Sequence, residues 1–153
     1  MILVTVAVGR NISVVMVHFH NKEALVGLHV AFGIIADSRG YYLVSKRRAD
    51  VRYAGLWEFP GGKLMSQESP YEALCRELNE EVGLFVQSAD PWPCLIDDQV
   101  SPRVVLWPFT VQTFSGSAIS REGQLVEWVS PAHLSTLAMP PANQSLVQAL
   151  LLR

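Results

Sequence analysis

Cysteine is scarce in this sequence, and its two occurrences exclude several classes of protein. Cys75 and Cys94 form no CxxC pair, so neither a zinc site of paired cysteines nor a disulfide scaffold is indicated. Cys75 also falls on the apolar side of a predicted helix. We therefore interpret both as reduced packing residues, which suits a cytoplasmic protein.

Charge and long apolar runs are limited as well. Asp, Glu, Lys and Arg make up 17% of the 153 residues, and the formal net charge of −2 gives no basic surface for a nucleic acid polymer. No apolar run approaches the roughly 18 residues that a membrane-spanning helix needs. Because 50% of the residues are apolar, the sequence predicts an ordinary globular domain with a real core, and nothing in it indicates an obligate protein partner.

The first 26 residues are apolar and rich in β-branched side chains, but they indicate no function. A secretory signal would begin with basic residues, whereas the first here is Arg10, after the apolar run, so we expect no secretion. The segment is either an added strand or the product of an upstream start site. His18 and His20 could bind a metal from one side of a strand, but with no third ligand we interpret them as ordinary histidines. We divide the chain into an extension of unknown role, residues 1–26, and a domain, residues 27–153.

The stretch over residues 62–84 carries the strongest pattern, and most of it predicts a helix. Ser69 can cap this helix, Pro70 fits its first position, and Glu72 completes a capping box. Gly83 ends the helix, at a position that usually requires a left-handed residue. Apolar residues at helical spacing form one stripe that faces a core: Tyr71, Leu74, Cys75, Leu78 and Val82.

Another face of this helix is strongly acidic. Glu77, Glu80 and Glu81 are spaced i, i+3 and i+4, and like charges at this spacing destabilise a helix unless a cation compensates. Arg76 can offset part of the charge, since Glu72 and Glu80 lie one turn away on either side. A solvated acidic face is the ordinary interpretation of such a cluster. A divalent cation is the better partner for three carboxylates held this close.

The remaining apolar segments predict strands. Residues 27–36 predict a buried strand, and residues 41–46 predict the returning strand of a hairpin after a turn at 37–40. Further strands are expected over residues 94–96, 104–114 and 125–129. Pro108, within the second of these, indicates an edge position or a bulge.

The same stretch, residues 62–84, resembles the box that defines the Nudix hydrolases, which cleave nucleoside diphosphates linked to another group. The positions that carry the resemblance are Gly62, Glu68, Arg76, Glu77, Glu80, Glu81 and Gly83, with Leu78 and Leu84 at apolar positions. The preceding WEFPGGK, residues 57–63, is similar to MutT-type and CTP-hydrolysing members. The resemblance covers about residues 28–152 and implies an α/β fold, the Nudix α/β/α sandwich, with a mixed β-sheet between helices.

The resemblance further implies a metal site on the acidic helix. The expected ligands are Gly61, Glu77, Glu80, Glu81 and Glu122. Glu77 is a ligand or the general base, and Glu122, in the sequence REGQ, is a further ligand or the alternative base. Arg76 is expected to act with these catalytic residues by orienting the carboxylates of the cluster. The positions that support the box are Gly62, Glu68 and Gly83. Carboxylates and a carbonyl are hard oxygen donors, which suits Mg²⁺, with Mn²⁺ as a substitute.

The resemblance to MutT-type enzymes also implies a nucleotide pocket. Arg47 matches an arginine that lines it, and Arg103 stands near a second one, although its spacing to the following Leu-Trp is one residue shorter here. The segment PPAN, residues 140–143, is similar to one whose asparagine reads the base. An amide has a donor side and an acceptor side, which matches the N7–H and O6 of 8-oxoguanine but only one of the two acceptors of guanine.

The same segment has a purely structural interpretation. Asn143 could be the N-cap of a last helix, and this capping alone is the alternative to base reading. The residues of that helix expected to face inward are Leu146, Val147, Leu150 and Leu151.

The implied activity is diphosphohydrolysis of a nucleoside triphosphate, with 8-oxo-dGTP as the expected substrate and nucleotide-pool sanitation, and so DNA repair, as the role. One alternative is a Nudix enzyme for CTP or 5-methyl-dCTP, or one of broad specificity, because the box handles phosphate and metal and not the base. The other is a catalytically silent module that binds a nucleotide or a partner. A silent module should have lost box carboxylates, and none is missing here.

Overall fold

The computed structural model describes residues 13–14, 26–97 and 100–153. The strands are β1 (Ser13–Val14), β2 (Leu28–Ile35), β3 (Tyr42–Lys46), β4 (Trp57–Glu58), β5 (Gly61–Lys63), β6 (Phe85–Pro91), β7 (Leu95–Asp97), β8 (Val104–Ser115) and β9 (Val126–Val129). The helices are α1 (Pro70–Val82), α2 (Pro131–Leu134) and α3 (Pro141–Leu151).

The strands form a mixed sheet and a smaller antiparallel sheet. The mixed sheet has the order β1-β7-β8-β2-β5, and β6 also pairs with β8. Its central pair, β2 and β8, is parallel, while the other pairs are antiparallel. The smaller sheet has the order β4-β3-β9. The chain passes from the small sheet to the mixed sheet between β4 and β5.

Helices cover both faces of the mixed sheet. Successive side chains of a strand point to opposite faces, so Ala31 and Ile35 of β2 belong to one buried cluster, and Phe32 and Ile34 belong to another. The first cluster contains the α1 residues Ala73, Leu74, Leu78 and Val82. The second contains Leu134 of α2 and Ala142, Leu146 and Val147 of α3. The expected mixed sheet between helices is therefore confirmed.

Helix α1 begins and ends as predicted. The Ser69 hydroxyl accepts from the Glu72 backbone N–H, the Glu72 carboxylate accepts from the Ser69 N–H, and Gly83 is left-handed with φ of 72°. The predicted apolar stripe is too wide, however. Tyr71 is 38% exposed and Cys75 is only half-buried, because the stripe that meets the sheet is centred on the Leu74 and Leu78 side of the helix.

The predicted hairpin between residues 27–36 and 41–46 is wrong. The turn forms, and the Asp37 carboxylate accepts from the backbone N–H of Arg39 and of Tyr41. Beyond it the two strands share only an isolated bridge between Ala36 and Tyr42. They separate because β2 is already paired with β5 and β8, whereas β3 pairs with β4 and β9 in the other sheet.

Pro108 was predicted to lie at an edge or a bulge, and the edge position is wrong, because β8 lies between other strands. One side of β8 pairs with β2 along its length, and the other pairs first with β7 and then with β6. Pro108 falls where β7 pairing has ended and β6 pairing has not begun, and there its carbonyl accepts from the Trp92 N–H at 2.9 Å. The N–H and C=O of one strand residue point to the same side, so an N–H at position 108 would point into this gap. A proline, which has no N–H, is therefore tolerated there.

The N-terminal extension contributes a short strand to the mixed sheet. Ser13 and Val14 pair with β7, which makes these residues of the extension an added strand. His18 and His20 lie outside the described residues.

Strand β6 was not predicted, because only scattered residues in it are apolar. Across the part of the chain that the structure describes, no helix is long and apolar enough to cross a membrane.

Candidate active site

Strand β5 contains paired glycines because its neighbours approach too closely for a side chain. A Cβ at Gly61 would collide with the carbonyl of Ala31 and lie 2.6 Å from Phe32 Cβ. A Cβ at Gly62 would lie 2.6 Å from Glu77 Oε1. Gly61 therefore lets β5 pair with β2, and Gly62 lets the Glu77 carboxylate reach the sheet.

Arg76 gathers the carboxylates on the exposed side of α1. Its Nε and Nη2 donate to the two oxygens of Glu68 at 2.7 and 2.9 Å. Its Nη1 donates to Glu77 at 2.7 Å and to Glu80 at 3.1 Å, and Nη2 also donates to the carbonyl of Lys63 at 2.9 Å. The bonds to Glu68, followed by those to Glu77, raise the pKa of Arg76. The guanidinium thus fixes three carboxylates relative to β5.

Glu81 is a buried carboxylate at the same end of the sheet, only 7% exposed. Its Oε1 accepts from the Ser45 hydroxyl at 3.2 Å, and its Oε2 accepts from the Gly61 N–H at 2.9 Å. Burial, assisted by the nearby charges of Glu58 and Glu122, raises the pKa of Glu81 to about 7, although the hydrogen bonds from Gly61 and Ser45 oppose the shift. Ser45 was not among the predicted site residues, although a serine within the apolar strand YLVSK was a signal.

The other acidic residues differ in exposure. Glu77 is half-buried, and burial raises its pKa although Arg76 opposes the shift. The Glu80 side chain is 50% exposed, and Glu122 is exposed in the loop before β9. The charge of Glu122 acts on both Glu77 and Glu81, so the loop and the helix bring their carboxylates into one region.

This region has the oxygen ligands that a hard divalent cation prefers. Carboxylate oxygens lie around the glycine strand, and a side chain at Gly62 would clash with the Glu77 carboxylate. Within the described ranges, no three His, Cys, Asp or Glu side chains already converge tightly enough to hold an ion. Arg76 and backbone donors hold the carboxylates in their present positions.

A cavity of about 500 Å³ opens beside this acidic region. Its polar and glycine lining includes Arg47, Glu58, Gly61, Gly62, Asp97 and Asn143. Apolar residues of β2 and β8 form much of the remaining wall, among them Phe32 and Leu106. The paired glycines therefore border the carboxylates on one side and the cavity on the other. Cavities of this size and character are typical of small-molecule sites.

Arg47 lines the cavity, and Glu58 is its partner. The Arg47 guanidinium forms an ion pair with Glu58 and donates from Nε to the carbonyl of Arg52 at 2.7 Å. Burial raises the pKa of Glu58, and the charge of Arg47 opposes this shift. Glu58 was missed as a candidate, although it stands inside the motif WEFPGGK. Arg103 is exposed and does not line the cavity, whereas its neighbour Pro102 does.

Asn143 is not the N-cap that the sequence suggested. Helix α3 begins at Pro141 with Pro140 as its cap, because proline at the first position already has the helical φ. Asn143 is 9% exposed and lines the cavity. Its side-chain amide makes no hydrogen bond to any residue that the structure describes. No buried polar side-chain atom of the described residues lacks a partner, so the amide atoms of Asn143 are not fully buried. The amide therefore reaches the cavity and not the core. The predicted inward position of Leu151 is also wrong, since it is 38% exposed.

Fold and site together define an α/β protein whose paired glycines lie between an acidic helix and a ligand-sized cavity. The NUDIX domain matches residues 27–150, and the chain belongs to this family of hydrolases. The resemblance to the Nudix hydrolases is thereby confirmed. Members of the family generally use divalent metal ions.

Relatives of known activity cover most of the chain. It is 35% identical to the 8-oxo-dGTP diphosphatase of Escherichia coli K12 over 80% of this chain and 95% of that protein. It is 34% identical to the CTP pyrophosphohydrolase of the same strain, over 75% of this chain and 85% of that protein. A MutT structure from work on Aliivibrio salmonicida and Vibrio cholerae gives a TM-score of 0.72 at 32% identity, covering 82% of this chain and 97% of that one.

Proposed function

We propose that the chain hydrolyses nucleoside triphosphates to a monophosphate and pyrophosphate, and that 8-oxo-dGTP is its preferred substrate. One relative named as an 8-oxo-dGTP diphosphatase, from Escherichia coli, is matched over 95% of its length. Such an enzyme acts on small molecules of the nucleotide pool, so it needs no nucleic acid polymer or protein partner. These substrates also agree with a cytoplasmic location.

The observation that carries the substrate proposal is the amide of Asn143 in the cavity wall. It makes no bond to the described residues, so both its donor and its acceptor are available to a base. 8-Oxoguanine offers a matching acceptor and donor at O6 and N7–H, whereas guanine offers two acceptors. A site built for that pair discriminates by up to roughly 10⁴-fold against a base that leaves the amide half-paired.

The phosphate chemistry belongs to the acidic end of the site. Glu77, Glu80 and Glu81 would hold Mg²⁺ together with the Gly61 carbonyl and Glu122, and Mn²⁺ would substitute. The ion, when bound, supplies positive charge for the polyphosphate and makes water at the site more acidic.

The chain's own groups do the rest. Arg76 keeps the carboxylates in register and does not touch substrate. Glu77, half-buried beside β5, is either one of these ligands or the base that takes the proton from the attacking water, and Glu122 is the alternative base. Arg47, oriented by Glu58, provides positive charge for the nucleotide in the cavity. Attack at the β-phosphorus releases pyrophosphate from the nucleoside monophosphate.

A second candidate is pyrophosphohydrolysis of CTP or 5-methyl-dCTP. The supporting observation is the CTP pyrophosphohydrolase relative, which is nearly as similar as the 8-oxo-dGTP diphosphatase. The acidic region serves either substrate equally, because it meets the phosphates and not the base.

The test is a panel of triphosphates with Mg²⁺, comprising 8-oxo-dGTP, dGTP, CTP and 5-methyl-dCTP, ranked by kcat/KM with pyrophosphate as the measured product. We expect 8-oxo-dGTP to lead. A dGTP value within about threefold of it, less than about 0.7 kcal/mol, would contradict base reading by Asn143. A lead by CTP would favour the second candidate.

A further inference from the structure

Gln124 is a buried polar side chain that joins the Glu122 loop to the end of helix α1. It is 8% exposed. Its Nε2 donates to the Glu81 backbone carbonyl at 3.1 Å, with the Glu81 Oε1 at 3.5 Å. Its Oε1 accepts from the Glu122 backbone N–H at 3.1 Å and from the Ser120 hydroxyl at 3.0 Å. One amide therefore contacts both a helix residue and a loop residue of the acidic region.

The orientation of this amide is fixed by its partners. A backbone N–H such as that of Glu122 can only donate, and a backbone carbonyl such as that of Glu81 can only accept. Exchanging the oxygen and nitrogen of Gln124 would place donor against donor and acceptor against acceptor. The side chain thus uses its acceptor for the loop and its donor for the helix, and neither a carboxylate nor an apolar side chain can do both.

The loop is also docked on the helix through its backbone. The last carbonyls of an α-helix have no partner within the helix. Here the Ile119 N–H donates to Val82 O at 3.0 Å, and the Arg121 N–H donates to Glu81 O at 3.0 Å. Glu122 follows these contacts directly and precedes Gln124 by two positions, so it is held on both sides.

We propose that Gln124 is a positioning residue that sets Glu81 and Glu122 relative to each other for cation binding. The proposal rests on the proposed function, in which both carboxylates bind the metal. Gln124 itself touches neither metal nor substrate. It binds the backbone of both carboxylate residues, Glu81 on α1, which lies 43 positions before Gln124, and Glu122 in the loop before β9.

The test measures Mn²⁺ binding to the nucleotide-free Gln124→Met protein. The readout is the electron paramagnetic resonance signal of free Mn²⁺. Methionine keeps the length and bulk of glutamine but none of its hydrogen bonds. Because changes to side chains that orient metal ligands typically weaken binding by about 10- to 100-fold, we expect a Kd at least about tenfold higher than that of the wild type. Excess Mn²⁺ should restore most of kcat. The matched control is Gln148→Met, at an exposed position of α3, which should bind Mn²⁺ as the wild type does.

A folded Gln124→Met protein with wild-type Mn²⁺ affinity would overturn the proposal. A second measurement does not depend on the variant folding. In the wild type, we expect the Gln124 side-chain amide resonances to shift on addition of Mg²⁺, while those of exposed Gln148 stay in place. Unmoved Gln124 resonances at saturating Mg²⁺ would equally overturn it.

These outcomes are distinct from failure of the proposed function. If Gln124 controls Mn²⁺ affinity but no triphosphate is hydrolysed, the positioning role stands and the activity is wrong. If 8-oxo-dGTP is hydrolysed and Gln124→Met binds Mn²⁺ normally, the activity stands and the positioning role is wrong.

Discussion

Gly62 lies against the carboxylate of Glu77 so closely that a Cβ there would come within 2.6 Å of Glu77 Oε1. The obstacle is the end of a flexible side chain, so Gly62→Ala should fold but push Glu77 out of place. We expect kcat to fall by at least about 100-fold, as for loss of a positioned catalytic group, with little change in Tm. Steady-state kinetics and thermal unfolding measure the two effects.

The matched control for Gly62→Ala is the neighbouring glycine. In Gly61→Ala the new Cβ would meet the backbone of β2, which cannot move aside cheaply. We expect this variant to lose stability, by several degrees in Tm or by failing to fold. If Gly62→Ala lost stability as severely as Gly61→Ala and no more activity than stability explains, the assigned contact with Glu77 would be wrong.

Arg76→Lys tests the role of the guanidinium as an organiser. Lysine cannot bind Glu68 through two nitrogens while also reaching Glu77, because its charge is a single point on a flexible stem. We expect kcat to fall by at least about tenfold, with a lower Tm. Arg39→Lys is the control, since Arg39 makes a similar paired bond to Asp37 at an exposed position, where ion pairs contribute about 0–1 kcal/mol. Equal effects of the two substitutions would contradict the role.

The buried Glu81 predicts how stability depends on pH in the metal-free protein. Burial raises its pKa from 4.5 to about 7, so between these values the folded state holds a proton that the unfolded state has lost. Stability is therefore greatest below about pH 4.5, as far as this group is concerned, and is lost as pH rises through about 7. The contribution is on the order of 3 kcal/mol.

Guanidinium unfolding in EDTA at pH 5 and pH 8 measures this dependence. The wild type should lose more stability over this interval than Glu81→Gln, which cannot ionise at the position. The same loss in both proteins would show that another group titrates instead.

Asn143→Ala tests base reading separately from chemistry. We expect kcat/KM for 8-oxo-dGTP to fall by about 100-fold or more, and that for dGTP to fall much less, because only the oxidised base pairs with both sides of the amide. Gln144→Ala, an exposed neighbour on α3, should change neither value. An equal loss with both nucleotides would mean that Asn143 supports the pocket without reading the base.

Helix α1 could be predicted from the sequence because its determinants are local. Ser69, Glu72 and Gly83 act within the helix or at its ends, and they do so in the structure. The acidic face followed from the same short-range spacing. Asn143 was placed near the last helix correctly, but its cap position was wrong, since Pro141 starts the helix earlier.

Pairings between distant residues could not be predicted from the sequence. Ser45 donates to Glu81 from 36 positions away, and Gln124 contacts it from 43 positions away. Neither bond is marked by a periodic pattern in the sequence, because each depends on how β3 and the Glu122 loop fold against α1. The separation of β2 and β3 into different sheets has the same origin, since it depends on the other strands available to each.

The most direct test of the account is turnover of the preferred triphosphate by Glu80→Gln and Glu81→Gln at saturating Mg²⁺. Glu72→Gln is the control on the same helix, because a glutamine also completes a capping box. If the acidic face binds the metal that serves the phosphates, kcat should fall by at least about 100-fold in both variants and stay unchanged in the control. Near-wild-type turnover by either Glu80→Gln or Glu81→Gln would contradict the account.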